Sequence, residues 1–313
     1  MLEAFAIFVP FLLAGFLLPW WQNICKKIFV TPTGKRGPVG GGWLLAALVA
    51  ALLFGVTFTP AEHFPPHLTP DIMAQFSLVS LLAIVLASLY QKTDRTGIAP
   101  KKWRATLPFI GVGIGSFFMP DLLPSLSYYP ERALYMVIWL LIIRAFVLAD
   151  KLDGLAAITT AIICVGLSIL VKPVAVPALI LAGSCLGFLR FNRPDALLLL
   201  GLSGRMWLGF IVGGLWLMAA GATPHTPEIF ALLILLVPIL FNNFITQNPW
   251  HMRLEALGLT PGKTLGRLIS LQIGCLVLAV LAFASPIPLW FLIMSIILML
   301  LHMVHIKWLE RSF

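Results

Sequence analysis

"LYMVIWLLIIRAFVLADKLDGLAAI", residues 134–158, decides the architecture. Between Leu134 and Ala149 the only charge is Arg144, and a second apolar run starts at Leu155. A run of this length crosses most of a bilayer's hydrocarbon core as a helix. The intervening "DKLDG" leaves almost no loop to solvate its charges. Asp150 and Asp153 stand three residues apart, a spacing that places them on one helix face. Carboxylates at a helix C-terminus oppose its dipole, and ionisable groups at membrane depth usually mark a functional pathway.

Apolar segments of the same kind recur along the chain. Hydrophobic residues make up 60% of 313 and charged residues 11%, with a mean hydropathy of +1.00. A soluble domain carries about a quarter charged residues. The expected fold is therefore all-α: one polytopic domain over residues 1–313, with about eleven transmembrane helices. The spans read as 4–24, 43–60, 72–90, 105–119, 133–149, 154–171, 174–189, 206–221, 228–246, 267–285 and 288–306. The first is too long, and lacks a small-residue cleavage site, to read as a signal peptide.

The charges orient these spans. Eighteen of the 21 Lys and Arg fall in alternate connections, near 26–42, 91–104, 150–153, 190–205 and 247–267 and at the C-terminal end. The other side holds Arg132 and Lys172, and Arg144 lies within a span. The positive-inside rule makes the crowded side cytoplasmic, with the N-terminus out and the C-terminus in. The net charge of +9 is then a topology signal and does not call for nucleic acid. Cys25, Cys164, Cys185 and Cys275 lie in or at the ends of apolar segments without paired spacing, as small buried residues do. His63, His67 and His225, in the short outer connections, have no ligand spacing, and neither a zinc pattern nor a P-loop occurs. A transporter is disfavoured: the halves show no inverted repeat, and the polar residues gather on one face instead of mid-membrane.

The inner connections collect the residue types that phosphate chemistry uses. "TPTGKRGPVGGGW" (31–43) carries Lys35 and Arg36 before Gly40 and Gly41, glycines that let backbone approach a ligand or another helix. "QKTDRTGIAPKKWR" (91–104) sets Asp94 among cations that include Lys101 and Lys102. "GFLRFNRPDALLLLGLSGR" (187–205) has Asn192 and brackets an apolar stretch too short to cross, so a bent or interfacial segment is expected. "TQNPWHMRLEALGLTPGKTLGR" (246–267) carries His251, Arg253 and an apolar patch of Trp250, Leu254 and Leu257 suited to the membrane interface.

In this order the stretches resemble the polytopic sugar-1-phosphate transferases that act on polyprenyl phosphates. This superfamily includes undecaprenyl-phosphate N-acetylglucosamine-1-phosphate transferase and phospho-N-acetylmuramoyl-pentapeptide transferase. "DKLDGLAA" resembles the family's Asp-x-x-Asp-Gly-Leu motif, the most specific of the matches. "GPVGGGW" resembles its Pro-x-x-Gly-Gly turn, "TDRTGIAPKKWR" its Asp-Asp-x-x-Gly segment, and "PWHMRLEALGLTPG" its His-rich loop. The 187–205 stretch resembles Gly-Phe-Leu-x-x-Asn-x-x-Pro-Ala ending in Gly-Asp-x-Gly-Ser.

The resemblance implies a bacterial inner-membrane protein that moves a sugar-1-phosphate from a UDP-sugar to undecaprenyl phosphate, using Mg²⁺. It assigns catalysis to Asp94, Asp150, Asp153 and His251, with Asp153 on the metal. Substrate binding falls to Lys35, Arg36, Gly40, Gly41, Lys101, Lys102, Asn192 and Arg253. A homodimer or a partner enzyme of envelope synthesis is a further expectation.

Three stretches depart from the pattern. Thr93 stands where the first carboxylate of the acidic pair belongs, and Leu202 takes the place of an aspartate. Arg205 replaces a small hydroxyl, and only His251 remains of the His loop. A catalytically inert relative that binds prenyl phosphate, a lipid-linked sugar or a partner enzyme is thus the alternative.

Overall fold

Long runs of Leu, Ile, Ala and Val, free of turn residues, satisfy their backbone within one segment only as helices, and hydrocarbon demands that they do. The computed structural model of the chain describes residues 2–28, 41–57, 83, 85, 101–117, 119, 128–149, 152–222, 226–241 and 250–312. Among these residues the structure is helical and contains no sheet. The elements are α1 (Leu2–Ile28), α2 (Gly41–Thr57), α3 (Lys101–Ser116), α4 (Tyr128–Ala149), α5 (Leu155–Leu170) and α6 (Ala175–Asn192). After them come α7 (Gly201–Gly221), α8 (Thr226–Leu240), the short α9 (Trp250–Ala256), α10 (Pro261–Phe283) and α11 (Pro288–Ser312).

Among the described residues six helices are long and apolar enough to cross a membrane: α1, α4, α6 with its preceding 3₁₀ turn, α7, α10 and α11. Three shorter apolar helices are Leu44–Phe54, Leu155–Leu170 and Ile229–Leu240. A described helix coincides with every expected span except 72–90, which lies outside the described residues apart from Ala83 and Val85.

The burial gradient gives the order of the bundle. In α7, 89% of the spanning window is buried, against 17% in α11. The helix that is apolar all round therefore occupies the centre. It packs on α4 and α2, while α6 is enclosed by α1 and α5. At the periphery α11 turns Trp290, Ile297, Leu301 and Val304 outward, and α1 does the same with Phe8, Leu12 and Phe16. Lipid is as apolar as these side chains, so their exposure carries no penalty in a bilayer.

Helices in lipid associate through close packing, which favours small residues at crossings. At the α2–α7 crossing Gly42 lies against Gly204, and a Cβ added at Gly204 would come within 2.7 Å of the Gly42 Cα. In α6, Gly183 abuts the Ile7 carbonyl of α1, and a Cβ on Gly187 would stand 2.7 Å from the Phe11 carbonyl oxygen. In α7, Gly209 meets Ile143 and Gly213 meets the Trp139 indole of α4. Trp139 seals that crossing by donating from Nε1 to the Phe210 carbonyl at 2.7 Å.

The alternation of helices brings the described flanks of the five cation-rich connections to one end of the bundle. At the opposite end Arg132 (8% exposed) donates from Nη1 to the Ser116 and Met119 carbonyls, closing the C-terminus of α3. Beside it Tyr135 donates its hydroxyl to Glu131 Oε1 at 2.6 Å, so two charged side chains are buried with partners.

Gly204→Val and Gly183→Val are expected to lower the melting temperature of detergent-solubilised protein, each costing about 1–3 kcal/mol through overpacking. Gly266→Ala, where an added Cβ meets nothing within 4 Å, should leave it unchanged or raise it slightly. Equal melting temperatures for all three variants would contradict the glycine-locked crossings.

Candidate functional site

The chain leaves helix at the crowded end between α6 and α7, over residues 193–200. Pro194 and the Asp195 backbone, at φ 69°, break the helix, and Gly201, at φ 77°, opens α7. Four successive carbonyls of this connector find partners on other parts of the bundle. Gln22 Nε2 of α1 donates to Leu197 O at 3.1 Å, and Asn192 Nδ2 donates to Leu198 O at 3.1 Å. The amides of Gly41 and Gly42, at the start of α2, donate to Leu199 O and Leu200 O at 3.0 and 3.1 Å. Leu198 and Leu200 are buried beneath. The sequence-based expectation of a bent segment folded against this end agrees with this arrangement.

The same connector fixes the acidic turn. Asn192 is 1% exposed, and its Oδ1 accepts from the Gly154 amide at 3.1 Å. That amide belongs to the N-terminus of α5, where backbone N–H groups lack helical partners. Gly154 sits at φ 85°, and a Cβ there would lie 3.1 Å from the Asn192 carbonyl, so only glycine closes the turn without strain. On the other side Arg205 Nη1 donates to the Val147 carbonyl, in the last turn of α4, at 3.1 Å. Asp153, partly exposed, stands between these two ties.

The α9 helix joins this end from the opposite side. A crevice of about 10 Å³, room for one water, is lined by Ala149 and Leu155 flanking the acidic turn, by Trp250 of α9, and by Thr159 and Gln272. Gln272 Nε2 of α10 donates to Thr159 Oγ1 of α5 at 2.5 Å, an interhelical bond inside the bundle. Trp250 packs on Phe241 and, edge to face, on His302, with ring centroids 5.7 and 4.8 Å apart.

The sequence-derived residues divide accordingly. Asp153, Asn192 and Gly41 meet at one end of the bundle. His251 is fully buried on α9, whose neighbour Trp250 walls the crevice. The described hydrogen bonds of Asn192 and Gly41 go to backbone, so both brace this end of the bundle. Arg253 is engaged by Glu310 at the end of α11: its Nε donates to Oε1 at 2.6 Å and its Nη2 to Oε2 at 2.5 Å. The Glu310 carboxylate raises the Arg253 pKa above its ordinary value, so the guanidinium stays charged. The α9 patch corrects the interface expectation: Trp250 and Leu254 are 1% and 0% exposed, buried against protein because α9 packs on α10 and α11. Lys35, Arg36, Gly40, Asp94 and Asp150 lie outside the described residues, as do the side chains of Lys101 and Lys102. Leu202 is partly buried in the first turn of α7. Cys164, Cys185 and Cys275 are buried free thiols.

Sequence reading missed the Arg205 tie, the Gln22 contact and the Thr159–Gln272 pair. Two of these had a signal: a glutamine inside an apolar segment needs a partner.

Residues 103–220, from α3 to the end of α7, match the family described as Glycosyl transferase family 4. The decaprenyl-phosphate N-acetylglucosaminephosphotransferase of Mycolicibacterium smegmatis is 38% identical over 32% of this chain and 30% of its own length. That of Mycobacterium leprae is 39% identical over the same shares. The phospho-N-acetylmuramoyl-pentapeptide-transferase of Chlamydia trachomatis is 30% identical over 43% of this chain and 45% of the relative. The matched region thus spans less than half the length of each of these curated relatives.

Asn192→Leu should cost about 1–3 kcal/mol, because it leaves the Gly154 amide and the Leu198 carbonyl buried without partners. Asn192→Asp, at a pH low enough to keep the buried carboxyl neutral, retains an acceptor for Gly154 and a donor for Leu198 and should lose less. Thermal unfolding of the purified protein ranks the two, and the reverse order would count against the brace. A double-mutant cycle on Arg253 and Glu310 should give a coupling under about 1 kcal/mol that shrinks with salt, as exposed pairs do.

Residues 103–220, which carry the acidic turn, Asn192 and Arg205, are thus similar to Glycosyl transferase family 4, and part of the chain is similar to decaprenyl-phosphate N-acetylglucosaminephosphotransferases and phospho-N-acetylmuramoyl-pentapeptide-transferases.

Proposed function

We propose that the protein transfers a sugar-1-phosphate from a UDP-sugar to undecaprenyl phosphate at the cytoplasmic face of a bacterial inner membrane, making a lipid-linked envelope glycan precursor. The observation that carries this reading is the braced acidic turn at Asp153, held where the positively charged connections gather. The N-termini of α2, α5 and α7 meet at this end, and their dipoles favour an anion there. The charge asymmetry supports eleven crossings with the N-terminus outside. So does the placement of the end of α2 and the start of α3 at opposite ends of the bundle.

In the proposed reaction a phosphate oxygen of the prenyl lipid forms a bond to the β-phosphorus of the UDP-sugar. The bond to the bridging oxygen breaks, and UMP leaves with the electron pair. Such transfer depends on positioning and charge neutralisation. The apolar helices present the lipid phosphate at the membrane edge, and the brace aims the acidic turn at it. Asp153 is a hard oxygen donor of the kind Mg²⁺ takes, and this ion typically binds one or two carboxylates together with substrate phosphates. Among the described residues no group of three His, Cys, Asp or Glu forms a ready-made metal cage. The ion's contribution, when bound, is to offset pyrophosphate charge.

A second reading is favoured by the start of α7, where Leu202 has no lone pair for a cation and Arg205 adds a positive charge. In it the chain binds prenyl phosphate or a lipid-linked sugar, alone, as a dimer or with a partner enzyme, without turnover.

Purified protein supplied with undecaprenyl phosphate, Mg²⁺ and a panel of UDP-sugars should release UMP. Asp153→Asn should reduce that release by at least about a hundredfold, the scale of losing a metal-holding or positioning carboxylate. No release with any UDP-sugar would overturn the transferase reading, and lipid-phosphate binding that is indifferent to EDTA would then favour the inert one.

A further inference from the structure

We propose that Arg205 is a positioning residue for the acidic turn, forming with Asn192 a two-point clamp that sets the direction of Asp153. This rests on the reading of that turn as the seat of a lipid phosphate. The Val147 carbonyl is one of the last four of α4 and has no partner within its own helix. Arg205 supplies one from α7 at 3.1 Å. A cation at this position also meets the negative end of the α4 dipole.

The tie spans two helices that cannot slide. One turn further along α7, a Cβ on Gly209 would lie 2.7 Å from the Ile143 Cα, and the Trp139 indole is bonded to the Phe210 carbonyl. Arg205 is thus anchored on a fixed platform. Three residues after Val147 comes Asp150, six after it comes Asp153, and the next amide, at Gly154, is held by Asn192. Both holds come from one stretch, residues 192–205, so α6, α7 and their connector set the exit of α4 and the entry of α5 together.

The test combines amide hydrogen exchange with binding of farnesyl phosphate to the full-length protein in detergent. The variants are Arg205→Ala, Arg205→Gln and Arg205→Lys. Arg205→Ala is expected to speed exchange over residues 150–155 by about tenfold, the equivalent of one charged hydrogen bond, while α10 and α11 exchange as before. Farnesyl phosphate affinity should fall by a similar factor. Arg205→Lys, which keeps charge and donors, should recover most of both. Arg205→Gln serves if the alanine variant fails to fold, and its effect should match the alanine prediction in direction.

Wild-type exchange over 150–155 in the alanine or glutamine variant would overturn the clamp. Faster exchange with unchanged farnesyl phosphate affinity would reduce Arg205 to a helix cap and overturn its positioning role. A lysine variant as impaired as alanine would do the same. If wild-type protein and Asp153→Asn both fail to bind farnesyl phosphate, the lipid-phosphate reading falls, and the exchange data alone decide the clamp.

Discussion

In hydrocarbon no water replaces a missing backbone partner, so a chain that leaves helix near a membrane must find its hydrogen bonds elsewhere in the protein. The connector at residues 193–200 meets that demand by recruiting Gln22, Asn192, Gly41 and Gly42 to four consecutive carbonyls. Gly41 and Gly42 open α2, Asn192 closes α6 and Gln22 lies in the last third of α1, so satisfying one loop brings these three helices to the start of α7. The acidic turn is drawn in by the second end of the Asn192 amide. Without this accounting of carbonyls the crowded end would be a set of separate turns.

Glycine makes the accounting possible. The Gly41 and Gly42 amides reach the connector because Gly42 lies directly against Gly204, an approach that any side chain at either position prevents. The same economy of volume holds α1 on α6 and α4 on α7. Small residues thus determine how near the helix ends come to one another, and helix ends carry the partial charges and open backbone groups of the site. Packing and electrostatics are here two consequences of the same residues.

The site combines preserved scaffolding with altered chemistry. The turn, its glycine and the bracing asparagine are joined by the Gly154–Asn192 hydrogen bond. At the start of α7, however, a leucine and an arginine occupy the first two turns. The arginine is not idle, since it closes the C-terminus of α4.

Helix formation, membrane insertion and the gathering of polar residues at one end were legible in the sequence, because each depends on local composition and on the count of cations between apolar runs. The spacing of Asp150 and Asp153 read as a shared helix face, whereas Asp153 lies in the turn that precedes α5, and Gly154 at φ 85° is the reason this turn needs a glycine. Other assignments required the tertiary structure. Sequence offered Asn192, Gly41 and Arg253 as substrate contacts, yet their described hydrogen bonds go to Gly154 and Leu198, to Leu199, and to Glu310. It placed the Trp250 patch on the membrane surface, whereas packing buries it against α10 and α11. Composition records which residues are polar or small; which partner satisfies each is fixed only when segments as distant as 42 and 204, or 147 and 205, are brought within a few ångströms.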